Sequence, residues 1–190
     1  MDRFARHVLG YHGCEAAFAR KLLDGSVPID EWNPSTNQYD WLGHGIYFWE
    51  HSPWRAARWA KERCASMGVE TAVVGAVIQL GRCFDLLNEQ ITGLLADEYN
   101  LLAKDFADEN LPLPKNCGPN GGKRDLDCLV INDCLSRLRA QGNEHDTVRG
   151  AFSEGSDVYP GSGFTRETHI QIAVKKSACI LGVFRPNLTS

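Results

Sequence analysis

The sequence predicts a single α+β domain, residues 1–190, in which a split β-sheet is interrupted by a helical insertion at about 88–142. Three observations carry this. Short apolar and β-branched runs recur on both sides of two long helical stretches in the middle of the chain. Those two helical stretches are consecutive, at 88–109 and 126–138, with a Pro/Gly/Asn-rich segment between them. The length of 190 residues fits one domain that buries about 70% of its unfolded surface.

In chain order, Arg6 to Tyr11 reads as a short strand, and Glu15 to Asp24 as a helix that Gly25 ends. Residues 26 to 44 read as a long loop holding Trp32, Tyr39 and Trp41; large aromatics in such a loop point to a lid or a binding surface. Gly45 to Trp49 is a strand. Ser52-Pro53 then opens a helix to about Met67, with serine as N-cap, proline at its first position, and Arg55, Arg58, Lys61 and Arg63 along it. Thr71 to Leu80 is a buried strand, and Cys83-Phe84-Asp85 is extended. The first insert helix sets Ile91, Leu94, Leu95, Tyr99, Leu102 and Phe106 on one face; the second carries Leu129, Val130, Leu135 and Leu138. Strands return at 148–152, 168–174 and 179–184, with a Gly/Ser/Pro loop at 153–163.

Composition narrows the function classes. Hydrophobic residues at 43% and charged residues at 23% exclude general disorder. A net charge of -4 argues against retention on nucleic acid by bulk charge, though not against a local basic site. No apolar run approaches the roughly 18 residues of a membrane span, and the N-terminus shows no secretory apolar region, so a cytoplasmic protein without a membrane partner is expected. The seven cysteines form no Cys-x-x-Cys pair and read as reduced thiols rather than a disulfide framework or a metal site.

Three places combine polar chemistry with backbone breaks. Tyr11-His12-Gly13-Cys14 closes the first strand, where a residue without Cβ lets a ligand approach the main chain. Gly43-His44-Gly45-Ile46-Tyr47-Phe48 puts an aromatic face at the end of a flexible lid. In Glu167-Thr168-His169-Ile170-Gln171-Ile172-Ala173, alternation sets Glu167, His169 and Gln171 on one side. Each also has a plain structural reading: a satisfied histidine, a core tyrosine, a solvated strand face.

Together, "LGYHGC", "WLGHGIYFWEHSPWRAARWA" and "THIQIAVKKSACILGVF" resemble the ADP-ribosyltransferase fold of the His-Tyr-Glu class, which includes poly-ADP-ribose polymerases and diphtheria-type toxins. The resemblance covers about residues 5–87 and 148–184 and leaves the insert uncovered. It implies NAD as co-substrate, with no metal. His12 is similar to the histidine that bonds the adenosine ribose, and Gly13 to the backbone clamp on the nicotinamide carboxamide. Tyr47 is similar to the tyrosine that stacks on nicotinamide. Trp59 would be a second stacking aromatic, and residues 33–44, with Tyr39, the donor loop over NAD.

The third motif departs from the class: Gln171 stands where the transferase strand carries glutamate. Glutamine keeps a hydrogen bond to the nicotinamide ribose but offers no charge to the oxocarbenium-like transition state. The nearest carboxylates are Glu154, in the loop that in this class recognises the target, and Glu167, about 13 Å along the strand. The resemblance implies a cytoplasmic mono-ADP-ribosyltransferase modifying RNA or protein, of the kind found among toxin-antitoxin or phage-defence effectors, with an antitoxin or other neutralising protein as partner. The alternatives are a non-catalytic module binding NAD or ADP-ribose, and an NAD glycohydrolase. The insert is either a structural cap or a recognition element for the target or antitoxin.

Overall fold

The computed structural model describes residues 6–118 and 122–188. The sequence readings for residues 1–5 and for the middle of the 110–124 loop lie outside the described residues. Among these, the strands are β1 His7–Glu15, β2 Ile46–Glu50, β3 Thr71–Gln79, β4 Cys83–Asp85, β5 Asn116–Cys117, β6 Lys123–Arg124, β7 Thr147–Phe152, β8 His169–Val174 and β9 Ile180–Phe184. The helices are α1 Ala16–Leu23, α2 Pro53–Cys64, α3 Glu89–Asp108 and α4 Asp125–Ala140. The fold is α+β. β5 and β6 form a small antiparallel pair inside the segment expected to be loop.

The seven remaining strands form one sheet in the order β4-β7-β8-β2-β1-β3-β9. The insert (α3, β5, β6, α4) is the crossover between β4 and β7, which lie side by side and parallel. Pairing is uneven. β1 and β3 match along nine residues, His7 to Glu15, whereas β1 and β2 match only at Gly10–Glu50 and Tyr11–Trp49. Past Tyr11 the two strands part, although both continue. The two nonetheless remain neighbours within the one seven-stranded sheet.

The two faces carry different layers. Ile46, Phe48, Val74, Ile78, Ile172 and Val174 pack on one side under α1 and Trp32. On the other side, Leu42, Phe84, Val148, Phe152 and Ala173 meet Ile131 and Cys134 of α4 and Ile91 of α3. Beside them, Trp49 and Val73 meet Ala56 of α2. The apolar stripes explain the layering: each helix buries one face, α2 through Ala56, Ala60 and Cys64 and α4 through Cys128, Val130, Ile131 and Cys134. Two details differ from expectation. Pro53 opens α2, but Ser52 makes no side-chain cap bond. The expected apolar face of α3 is only part-buried, with Leu94 and Tyr99 exposed, while Glu98 is buried and ion-paired with Arg137 at 2.8 Å.

Candidate functional site

The parting of β1 and β2 is bridged by a side chain. His12 Nδ1 donates to the backbone carbonyl of Tyr47 at 2.7 Å, across the gap where ladder bonds have stopped. The ring sits against Trp32 (centroids 4.9 Å apart, perpendicular) and Phe48 (5.8 Å). Burial drives its pKa down to about 4, with a smaller push from Arg63, against the Tyr47 carbonyl. His12 is therefore a neutral imidazole at pH 7, with Nδ1–H used and the Nε2 lone pair left as an acceptor.

Tyr47 belongs to the opposite face from the His12 ring: its neighbour Phe48 packs with Trp32, whereas Tyr47 packs with the α4 layer. Its hydroxyl donates to Gly43 O at 2.6 Å and accepts from Leu42 N at 2.8 Å. That hydroxyl thus closes the loop that precedes its own strand. The loop is clasped at many other points. Ser35 and Gly45 exchange backbone bonds, and Asp40 accepts from Ser35 Oγ and Asn37 N. Asn132 of α4 accepts from His44 N at 3.0 Å, and the Cys128 thiol reaches Asn37 O. Lys175 Nζ donates to Leu42 O and His44 O. The flexible lid expected of the 26–44 loop is corrected: its end is held by Asp40, by α4 and by Lys175. Of the loop's large aromatics, Trp32 is buried and Tyr39 is 44% exposed.

A second cluster lies on the same face as Tyr47. Strand register aligns Tyr11, Trp49, Gln171 and Gly150 in one row across β1, β2, β8 and β7. Gln171 is buried, and its Nε2 lies 2.9 Å from His169 Nε2. His169 Nδ1 donates to its neighbour's carbonyl, Glu167 O, at 2.7 Å, and Glu154 Oε2 lies 3.7 Å from the same nitrogen. Arg55 of α2 donates to Glu154 Oε2 at 3.0 Å and approaches Glu167 at 3.8 Å, while Arg58 pairs with Glu167 at 3.1 Å. The loop after β7 is thereby tied to α2. Among the described residues, Trp49 Nε1 and Arg55 Nε and Nη1 are buried donors with no protein acceptor. Each such donor costs about 1–3 kcal/mol unless an oxygen meets it.

The structure therefore brings Gln171 and Glu154 together through His169, and His12 to the main chain of Tyr47. It does not pair Trp59 with Tyr47. Trp59 packs on Trp49 (5.3 Å) and under the Arg63 guanidinium (5.0 Å). Gly13 also has a different reason to be glycine. A Cβ there would fall on the Ala56 carbonyl and lie 3.0 Å from Ala60 Cβ, so the missing side chain admits α2. The side-chain space is filled by protein, and any clamp on a ligand falls to the Gly13 main chain.

Sequence reasoning did not single out His169, Arg55 or Lys175 as site residues. Period-two alternation does place His169 beside Gln171, which is a usable signal. The Arg55–Glu154 contact joins residues 99 apart and has no local signature. Next to His169, Trp41 stacks at 6.4 Å, and Arg124 lies over both Trp41 (4.3 Å) and Phe152 (5.0 Å). These three residues line one wall of a cavity of about 310 Å³ that reaches to Tyr99 and Val130 of the insert. Among the described residues, no cluster of His, Cys, Asp or Glu has the makings of a metal site, and no helix is long and apolar enough to cross a membrane. The chain matches no family model, no curated protein and no solved structure.

Proposed function

We propose that the chain is an NAD-dependent mono-ADP-ribosyltransferase that works in the cytoplasm on a macromolecular acceptor, RNA or protein. The observation that carries this reading is the His12–Tyr47 contact at the parting of β1 and β2, with Gln171 on the next strand and on the face of Tyr47. In this reading NAD occupies the split. The His12 Nε2 lone pair accepts a hydroxyl of the adenosine ribose, the Gly13 main chain holds the nicotinamide carboxamide, and the Tyr47 ring flanks the nicotinamide.

The reaction breaks the bond between nicotinamide nitrogen and ribose carbon. The bonding pair leaves with nicotinamide, which departs neutral and needs no strong acid. Positive charge grows on the ribose, as in glycosidase transition states. Gln171 orients the ribose hydroxyls without supplying charge. The acceptor attacks the same carbon and its proton passes to a base, for which Glu154 has the place and the chemistry. Arg55 holds Glu154 at the cluster and must share it with the incoming group. A small transferase of this type suits an effector restrained by a neutralising protein.

A second reading is favoured by a specific observation. The amide at 171 is paired with a neutral imidazole, and the nearest carboxylate is engaged by Arg55. Such a site suits a module that binds NAD or ADP-ribose without turnover. Incubation with labelled NAD and cell lysate, followed by nuclease or protease digestion, separates the readings. Label in RNA or in protein supports transfer and names the acceptor class. Free labelled ADP-ribose alone indicates a glycohydrolase, and intact NAD bound to the protein indicates a module.

A further inference from the structure

His169 sits beside the proposed site without a role in the reading above. Its two ring nitrogens have different partners. Nδ1 faces the Glu167 carbonyl at 2.7 Å, and a carbonyl only accepts, so Nδ1 carries the hydrogen. Nε2 then holds a lone pair unless the ring is protonated. The group 2.9 Å from that lone pair is the Gln171 amide, which must present its NH₂ side. Its oxygen is thereby turned away from His169. Among the described residues, none donates to Gln171 Oε1, although the residue is only 8% exposed.

We propose that His169 is a positioning residue that fixes the Gln171 carboxamide with nitrogen on the imidazole and oxygen presented to a ligand hydroxyl. The ligand's identity as NAD rests on the proposed function; the orientation does not.

The pair also accounts for an amide at this position. A carboxylate at 171 would face the Nε2 lone pair and repel it, unless the ring took up a proton. Amide and neutral imidazole are a matched set, and so are carboxylate and imidazolium. The surroundings favour the neutral set. Burial is the largest influence on His169 and disfavours its charged form; Arg55 of α2 acts the same way. Glu154 and Glu167, with the Glu167 carbonyl, oppose it. On the side of the insert, the Arg124 cation lies over Trp41 and Phe152, the rings that His169 packs on.

The test combines nitrogen NMR with turnover. Long-range proton–nitrogen correlation at pH 7 should show His169 protonated on Nδ1 and bare on Nε2. In Gln171→Glu the ring should carry hydrogen on both nitrogens at the same pH. A wild-type ring protonated on Nε2, or one unchanged by Gln171→Glu, overturns the assignment whatever the protein does with NAD. In NAD cleavage, His169→Phe should lower kcat about tenfold, the worth of one oriented hydrogen bond. His169→Gln, whose amide oxygen falls near the place of Nε2, should stay within about threefold of wild type. Equal kcat for wild type and His169→Phe overturns the positioning role. A protein with the expected NMR pattern that neither binds nor cleaves NAD retains the His169–Gln171 pairing and refutes the NAD reading instead.

Discussion

His12 Nδ1 and the carbonyl oxygen of Tyr47 are 2.7 Å apart, at the place where β1 and β2 stop sharing backbone hydrogen bonds. The side chain takes over from the ladder where the two strands part. A neutral imidazole is required, since burial holds the His12 pKa near 4 against an ordinary 6.5. Between these values the unfolded chain binds a proton that the folded chain does not. The His12 contribution is therefore full above pH 6.5 and is lost as pH drops toward 4, by up to about 3 kcal/mol. His145 and His169, also pushed down mainly by burial, add slope of the same sign. Urea unfolding of wild type and His12→Phe between pH 7 and 4.5 should show a clearly shallower decline in the variant.

The Tyr47 hydroxyl offers a separable test of the loop. Tyr47→Phe keeps the ring and removes the bonds to Gly43 O and Leu42 N. Two lost bonds at a part-buried site should cost about 1–3 kcal/mol, and hydrogen exchange at the Leu42 amide should accelerate. If the hydroxyl acts only as a loop anchor, NAD affinity should change less than in Tyr47→Ala, which also removes the ring.

Lys175 makes the loop sensitive to alkaline pH. Burial lowers its ammonium to about 7 from 10.5, opposed by Cys128 and Asp40. The unfolded chain keeps its proton up to 10.5, so the unfolded state binds more protons above pH 7 and stability rises with pH there. Between pH 7 and 8.5 the gain is about 2 kcal/mol. Above pH 9 the thiols of part-buried Cys14 and Cys83 and of buried Cys134, raised to about 11 by burial, pull the other way. Lys175→Met should flatten the rise between pH 7 and 8.5 in denaturant unfolding.

Much of the architecture is legible in the sequence because it is local. The stop at Gly25, where φ is 79°, the start of α2 at Pro53 and the period-two β8 strand are set by backbone preference and alternation. What escapes is non-local. Nothing near His12 announces that Tyr47 will offer it a carbonyl, and nothing near residues 26–44 announces that Asn132 and Lys175 will clasp the loop. Gly13 shows a subtler limit: a glycine beside a candidate ligand suggests room for that ligand, whereas here the room is taken by α2. Burial of Glu98 inside an otherwise apolar helix face depends on Arg137, 39 residues later, and no helical period predicts it.

Glu154 lies beside Arg55 and His169, and in the proposed reading it is the base that serves the acceptor. Glu154→Gln should slow transfer to the acceptor by 10²–10⁴-fold, the usual worth of general-base help. NAD affinity should be nearly unchanged, because the neutral amide still accepts from Arg55. Parallel transfer assays and calorimetric titrations check both halves.

In the proposed reading NAD is bound where β1 and β2 part and is cleaved against Gln171. Release of nicotinamide from labelled NAD by the purified protein, measured for wild type and Gln171→Ala, tests it most directly. Wild type should release nicotinamide, and the rate should fall at least about tenfold in Gln171→Ala as the ribose loses its oriented acceptor. Equal release by the two proteins, or none by either with no NAD binding in calorimetry, would contradict it.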